Sequence, residues 1–137
     1  MSKESGQRSI LIIEDNELNR EMLCAMLEDR YHVFQAENGK EGLEVLQDQY
    51  RNISLIVLDV QMPVMNGYEF LKVVKEDDLL KEIPVIVATG SNDVEEEERC
   101  LELGATDFVI KPYKRNIVLK RISNIIRSSQ ASARQER

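Results

Sequence analysis

Ile53–Gly67 reads ISLIVLDVQMPVMNG, and the order of residue types within it decides the architecture. Four apolar residues, Leu55 to Leu58, run straight into an acid, Asp59, and a turn follows at Met62-Pro63. A continuous apolar run of that length, bounded by turn signals, suits a strand buried on both faces of a parallel sheet. Asp59 then stands at the carboxyl end of the strand, the edge at which open α/β sheets build their sites. A carboxylate ending a buried strand is costly unless something pairs with it.

Working outward, four further strand-like runs share the chain: Ile10–Ile13, the more amphipathic Tyr31–Ala36, Pro84–Ala88 and Thr106–Ile110, with Ser54–Leu58 as the third of five. Helical patterns lie between them. Leu18, Met22 and Met26, joined by Leu23 and Leu27, form one apolar stripe. Leu43 and Leu46 anchor a second helix opened by Asn38-Gly39; Phe70, Leu71 and Val74 anchor a third opened by Asn66-Gly67. Cys100, Leu101 and Leu103 mark a fourth, stopped by Gly104, and Ile117, Ile122, Ile125 and Ile126 a fifth. Such alternation implies right-handed crossovers and an α/β, doubly wound, five-stranded parallel sheet with helices on both faces. The first, third and fourth strands are the most apolar and belong in the centre; the second and fifth belong at the edges. Residues 1–8 read as a disordered N-terminal segment and 9–127 as the domain. The SSQASARQER of 128–137 has no large apolar residue and reads as a polar tail or the start of a linker.

Composition narrows the function classes. The 137 residues are 42% hydrophobic, enough for one domain with a full core, and no apolar run approaches a membrane span. No apolar signal region follows the MSKESGQRS start. Two cysteines, Cys24 and Cys100, are too few for a disulfide framework and read as buried thiols of a cytoplasmic protein. The single histidine, His32, makes a zinc site improbable. The net charge of −7 is uneven: residues 111–137 hold eight Lys/Arg against one acid, giving +7 there and leaving −14 over residues 1–110. Cations along a C-terminal helix are common, and with this overall charge direct nucleic-acid binding is not expected.

The strand ends carry the chemistry. The first strand ends in Glu14-Asp15 and the third in Asp59, so neighbouring strands would bring three carboxylates together. Like charges ~4 Å apart at an effective dielectric near 20 repel by about 4 kcal/mol per pair. A divalent ion at equal spacing reverses the sign, with roughly six units of attraction against three of repulsion. Hard oxygen donors with room for waters suit Mg²⁺. The plainer alternative, that Glu14-Asp15 caps the first helix, leaves Asp59 unexplained. The fourth strand ends in Ala88-Thr89-Gly90-Ser91, bringing a hydroxyl to the same level, and the fifth in Lys111-Pro112, bringing an ammonium. Metal, hydroxyl and fixed cation around one carboxylate suit phosphoryl transfer to Asp59, where positioning and charge neutralisation do most of the work.

ILIIEDNELNR, LIVLDVQMPVMNGYEF, VIVATGS and GATDFVIKPY, in this order, resemble the receiver domain of two-component response regulators. The resemblance covers roughly Ser9 to Arg127. It implies the strand order 2-1-3-4-5, Asp59 as phospho-acceptor, and Mg²⁺ held by Asp15, Asp59 and the backbone carbonyl of Gln61, with Glu14 acting through a bound water. It also implies that Thr89 receives the phosphoryl oxygens, that Lys111 pairs with them, that Phe108 is the aromatic switch residue, and that Lys111-Pro112 is a cis peptide. Gln61 and Ser91 would flank the site and tune the lifetime of the phosphoryl group. Glu14 stands where Asp is also common, Gly90 where Ala is frequent, and Phe108 where Tyr is frequent; none of these removes a catalytic group.

The expected function is therefore a phosphorylation-dependent signalling switch. The donor would be a sensor histidine kinase or a histidine phosphotransfer protein, and the surface of the fourth helix, fifth strand and fifth helix would change shape. The chain would catalyse its own modification without turning over an external substrate. A downstream output domain or protein partner, a phosphorylation-dependent homodimer, and a receiver excised from a longer regulator, for example with a diguanylate cyclase module, all stay open. A receiver fold serving as a binding module without phosphorylation is the weaker alternative, given the complete acid, Thr and Lys set. A haloacid-dehalogenase phosphatase needs a second acid where Gln61 stands, and a flavodoxin-type carrier needs a phosphate loop where Glu14-Asp15-Asn16-Glu17 would repel one. Two features stay open: Glu95 to Glu98 are either a solvated first turn or an acidic patch facing a partner, and Tyr113 is either partner contact or packing.

Overall fold

The computed structural model describes residues 8–60, 66–90 and 94–135, the last six of these by backbone alone. Strands and helices alternate as β1 (Arg8–Ile13), α1 (Glu17–Leu27), β2 (Tyr31–Ala36), α2 (Gly39–Gln49), β3 (Ile53–Asp59), α3 (Gly67–Glu76), β4 (Val85–Thr89), α4 (Val94–Glu102), β5 (Asp107–Ile110) and α5 (Arg115–Gln135). The sheet is parallel throughout, in the order β2-β1-β3-β4-β5, with the three most apolar strands inside.

Successive side chains of a strand point to opposite faces, so each central strand feeds two cores. Leu11, Ile13, Ile56, Leu58, Val85 and Val87 face one side, where Leu46 of α2, Phe70, Leu71 and Val74 of α3 and Cys100 of α4 cover them. Ile10, Ile12, Leu55, Val57, Ile86 and Ala88 face the other, under Leu23 and Leu27 of α1 and Val118, Leu119, Ile122 and Ile126 of α5. A fully buried side chain of this size contributes about 1.5–3 kcal/mol over its exposed state, so both faces are held firmly to the strand ends.

Caps start the helices where the Asn residues stand. Asn16, Asn38 and Asn66 each accept a hydrogen bond from a backbone N–H in the first turn, and Asn66 forms a full capping box with Glu69. Gly67 follows because only hydrogen fits: a Cβ there would lie 2.3 Å from Val60 Cα and 2.7 Å from the Asp59 carbonyl oxygen. Gly104, beyond α4, has φ of 108°, a left-handed conformation that ends a helix and suits glycine.

Several expectations need correction. Leu23 and Leu27 do the packing on α1, whereas Leu18 and Met22 are exposed; their line is rotated by roughly a third of a turn from the buried one on a 3.6-residue helix. Ile117 and Leu101 are likewise about half exposed, and Val118 and Leu119 take the core positions on α5. Cys24 is only partly buried, unlike Cys100. Arg8 is not part of a disordered segment: it belongs to β1 and pairs with Tyr31. Residues 1–7 and the Met62-Pro63 turn lie outside the described residues. The stretch from Ser128 to Gln135 continues α5 as helix, in keeping with the good helix propensity of Ala131, Ala133, Arg134 and Gln135. Among the described residues no helix is long and apolar enough to cross a membrane.

The two thiols should differ in reactivity. Burial, with Glu96 adding, pushes the Cys100 thiol up to about 11, and burial, with Glu28 adding, raises that of Cys24. At pH 8 a thiol near 11, such as that of Cys100, is thiolate in roughly one molecule in a thousand. Iodoacetamide followed by peptide mass spectrometry should label Cys24 first and Cys100 only after denaturant is added; equal rates in the native protein would contradict this packing.

Candidate phosphoacceptor and metal site

Strand register assembles the site. Ile13 pairs with Leu58, so Glu14 lies one residue past β1 beside Asp59, the last residue of β3. Asp59 pairs with Ala88 and Thr89 with Ile110, which places Thr89 and then Lys111 at the same edge. Backbone bonds carry the ladder one step further: the Glu14 N–H donates to the Ala36 carbonyl at 3.1 Å and the Lys111 N–H to the Thr89 carbonyl at 2.8 Å. The Lys111–Pro112 peptide is cis.

Carboxylate oxygens of Glu14, Asp15 and Asp59 all lie within 4.8 Å of one another. Glu14 and Asp59 are almost entirely buried, at 1% and 3% exposure, whereas Asp15 is exposed. The Lys111 ammonium lies 3.3 Å from Asp59 Oδ2 and 3.5 Å from Glu14 Oε1. One cation thus serves two buried anions and leaves the trio with an excess of negative charge. Glu14 is held further by the Tyr113 hydroxyl, which donates to Oε1 at 2.9 Å, and by the Asn16 N–H, which donates to Oε2 at 3.3 Å. Burial and then the Glu14 carboxylate raise the Tyr113 phenol far above its ordinary range, so it remains a donor. Arg20 donates to the Glu14 carbonyl at 2.8 Å and steadies the same turn.

The capping alternative for Glu14-Asp15 and the choice left open for Tyr113 are both decided by these contacts. Asn16, not Glu14 or Asp15, supplies the side-chain cap of α1, which leaves both acids for the site. Tyr113 is buried, and its hydroxyl is spent on Glu14. That contact joins residues 99 apart in the chain, and no local pattern signals it.

Thr89 is buried at the edge, and its hydroxyl donates to Glu96 Oε1 on the first turn of α4. The other oxygen of Glu96 accepts from the Tyr68 hydroxyl at 3.1 Å. Neither account of Glu95 to Glu98 as a block therefore describes Glu96, whose carboxylate is bound by Thr89 and Tyr68. Phe108 is half-buried and lines a groove of about 540 Å³ with Glu97, Ile110, Lys111, Ile117 and Arg121. Gln61 and Ser91 lie outside the described residues.

The donor set suits a hard divalent cation. The three converging groups are all carboxylates, with neither sulfur nor imidazole among them, and the exposed member, Asp15, leaves one side open to water.

A family model described as response regulator receiver domain matches residues 10–123. Two-component response regulator ORR5 of Oryza sativa subsp. japonica is 36% identical over 126 residues, covering 91% of this chain and 93% of that protein. Two-component response regulator ORR3 of the same subspecies is 38% identical over 118 residues, covering 85% and 89%. Among solved structures, the Vibrio cholerae chemotaxis protein CheY4 superposes with a TM-score of 0.81 at 30% identity, covering 87% of this chain and 98% of that one.

The charge arrangement gives two substitutions opposite signs in the absence of divalent ions. Asp59→Asn relieves the repulsion from Glu14 and Asp15 while giving up the attraction of Lys111, and should raise stability by about 1 kcal/mol once the screening of exposed Asp15 is allowed for. Lys111→Ala leaves two buried carboxylates without their shared cation, and should lower stability by about 1–3 kcal/mol. Urea unfolding in EDTA measures both; a destabilised Asp59→Asn would contradict the arrangement.

Proposed function

Since this chain belongs to the response regulator receiver domain family, we propose that it is a phosphorylation-dependent signalling switch with Asp59 as the phosphoryl acceptor. The observation that supports this most directly is the convergence of Glu14, Asp15 and Asp59 with Lys111 3.3 Å from Asp59. The phosphoryl donor is a phosphohistidine on a sensor kinase or a phosphotransfer protein, or a small phosphodonor. Glu14, Asp15, Asp59 and the backbone carbonyl of Gln61 would hold Mg²⁺, which when bound offsets charge on the phosphoryl oxygens.

The chain's own groups do the rest. An Asp59 carboxylate oxygen attacks phosphorus in line with the leaving nitrogen; the O–P bond forms, the P–N bond breaks, and the donor imidazole takes up a proton. Lys111 neutralises the oxygens that develop charge, and Tyr113 keeps Glu14 aimed into the site. The Thr89 hydroxyl donates to a phosphoryl oxygen, and Phe108, beside the groove above α5, changes its packing as the β4 end moves. The surface of α4, β5 and α5 thereby shifts between two populations, to the extent that the phosphoryl group binds one of them better. Water attack at phosphorus returns the free carboxylate and inorganic phosphate. Nothing is turned over beyond the chain's own modification.

Domain extent belongs to this reading as well: the switch occupies 9–127, and residues 128–135 extend α5 beyond it. A cytoplasmic setting, an output protein or domain as the target, and a dimer formed on phosphorylation fit the same role.

Incubation with acetyl phosphate and Mg²⁺, followed by intact-mass measurement, should add one phosphoryl group to the wild type. The Asp59→Asn variant should lose that product at least tenfold, and Lys111→Ala should reduce its rate. An unmodified wild type, or an unchanged yield in Asp59→Asn, would defeat the proposal.

A further inference from the structure

Glu96 and its two hydroxyl partners form a cluster that the phosphoryl chemistry does not account for. Both oxygens of one carboxylate are engaged, Oε1 by Thr89 from the end of β4 and Oε2 by Tyr68 from the first turn of α3. The Arg99 guanidinium, one turn along α4 from Glu96, lies over the Tyr68 ring at 3.9 Å from its centroid. The start of α4 is thus tied to β4 and to α3 through a single acid. Burial, followed by Glu96, pushes the Tyr68 phenol up to about 12, so it stays a donor across the physiological range.

A threonine hydroxyl carries one proton and can donate it to one acceptor at a time. In the unmodified chain that proton is given to Glu96. We propose that Glu96 is a positioning residue that acts through Thr89: it sequesters the hydroxyl in the resting state, and an anion on Asp59 must displace it to obtain that hydrogen bond. This rests on Asp59 being the phosphoryl acceptor. When the hydroxyl turns toward the phosphoryl group, Glu96 Oε1 loses its donor while new negative charge arrives nearby. The first turn of α4 is then released, and the cost of release sets how strongly modification is opposed. A carboxylate is a stronger acceptor than a carboxamide, so Glu96→Gln weakens the resting bond without changing the side chain's shape.

Beryllium fluoride with Mg²⁺ serves as the probe, a phosphoryl mimic followed by the bound fluorine signal in NMR. Wild type should bind it, Glu96→Gln should bind it roughly 3- to 10-fold more tightly, and in a Thr89→Val background Glu96→Gln should change nothing. Equal affinity of wild type and Glu96→Gln would overturn the proposal. So would an equal gain in the Thr89→Val background, which would reveal a simple field effect of the lost charge. A wild type that shows no bound fluorine would instead sink the phosphoacceptor reading on which this one stands. Hydrogen exchange on the wild type gives a second measure that needs no variant: amides of Val94–Glu98 should exchange faster once the mimic is bound, and unchanged exchange would contradict release of the turn.

Discussion

Carboxylate crowding at the carboxyl edge of the sheet is the constraint on which the rest depends. Parallel pairing of β1 with β3 leaves Glu14 and Asp59 side by side at the end of two buried strands, and neither can swing into solvent. Lys111 meets both, but one ammonium cannot neutralise three acids. An arrangement of this kind is unfavourable for an inert scaffold, because removing charge from it would stabilise the fold. Its persistence makes sense where a cation and a transferable anion complete the set. Stability is given up locally at the edge, and the two apolar cores beneath the strands supply enough to bear it.

Around that crowding the molecule sorts its polar groups by task. Tyr113 and the Asn16 amide fix Glu14 in direction, while Asp15 stays exposed. On the opposite flank Thr89, Glu96 and Tyr68 run outward from the edge to α4 and α3. The acid end of the site is therefore cross-linked to α1 and to the segment after β5, and the hydroxyl end is connected to α4, whose buried residue is Cys100. Through these bonds the end of β4 is joined directly to α4 and α3.

The strands and the site's principal acids were legible because their signals are local. An apolar run ending in Asp59, Asn-Gly pairs at helix starts and Lys111 at a strand end each declare themselves within a few residues. The apolar character of β1, β3 and β4 placed those strands in the centre, but their exact order was implied only by the resemblance to receiver domains, and the meeting of Glu14, Asp15 and Asp59 required β1 and β3 to be neighbours. What stayed hidden depends on helix rotation or on distant partners. Leu18 and Met22 have the same apolar character as Leu23 and Leu27, and only the sheet beneath decides which pair is buried. Glu96 looks identical to Glu95 and Glu97 in sequence; the rotation of α4 against Thr89 sets it apart. The Tyr113–Glu14 bond spans nearly the whole chain, and the helical course of residues 128–135 has no apolar face to announce it.

The most direct test of the electrostatic account is a calorimetric titration of the unmodified chain with MgCl₂ at neutral pH. One ion should be taken up per chain, with a loss of affinity of about tenfold or more in Asp59→Asn. No measurable uptake, or equal affinity in the wild type and in Asp59→Asn, would contradict it.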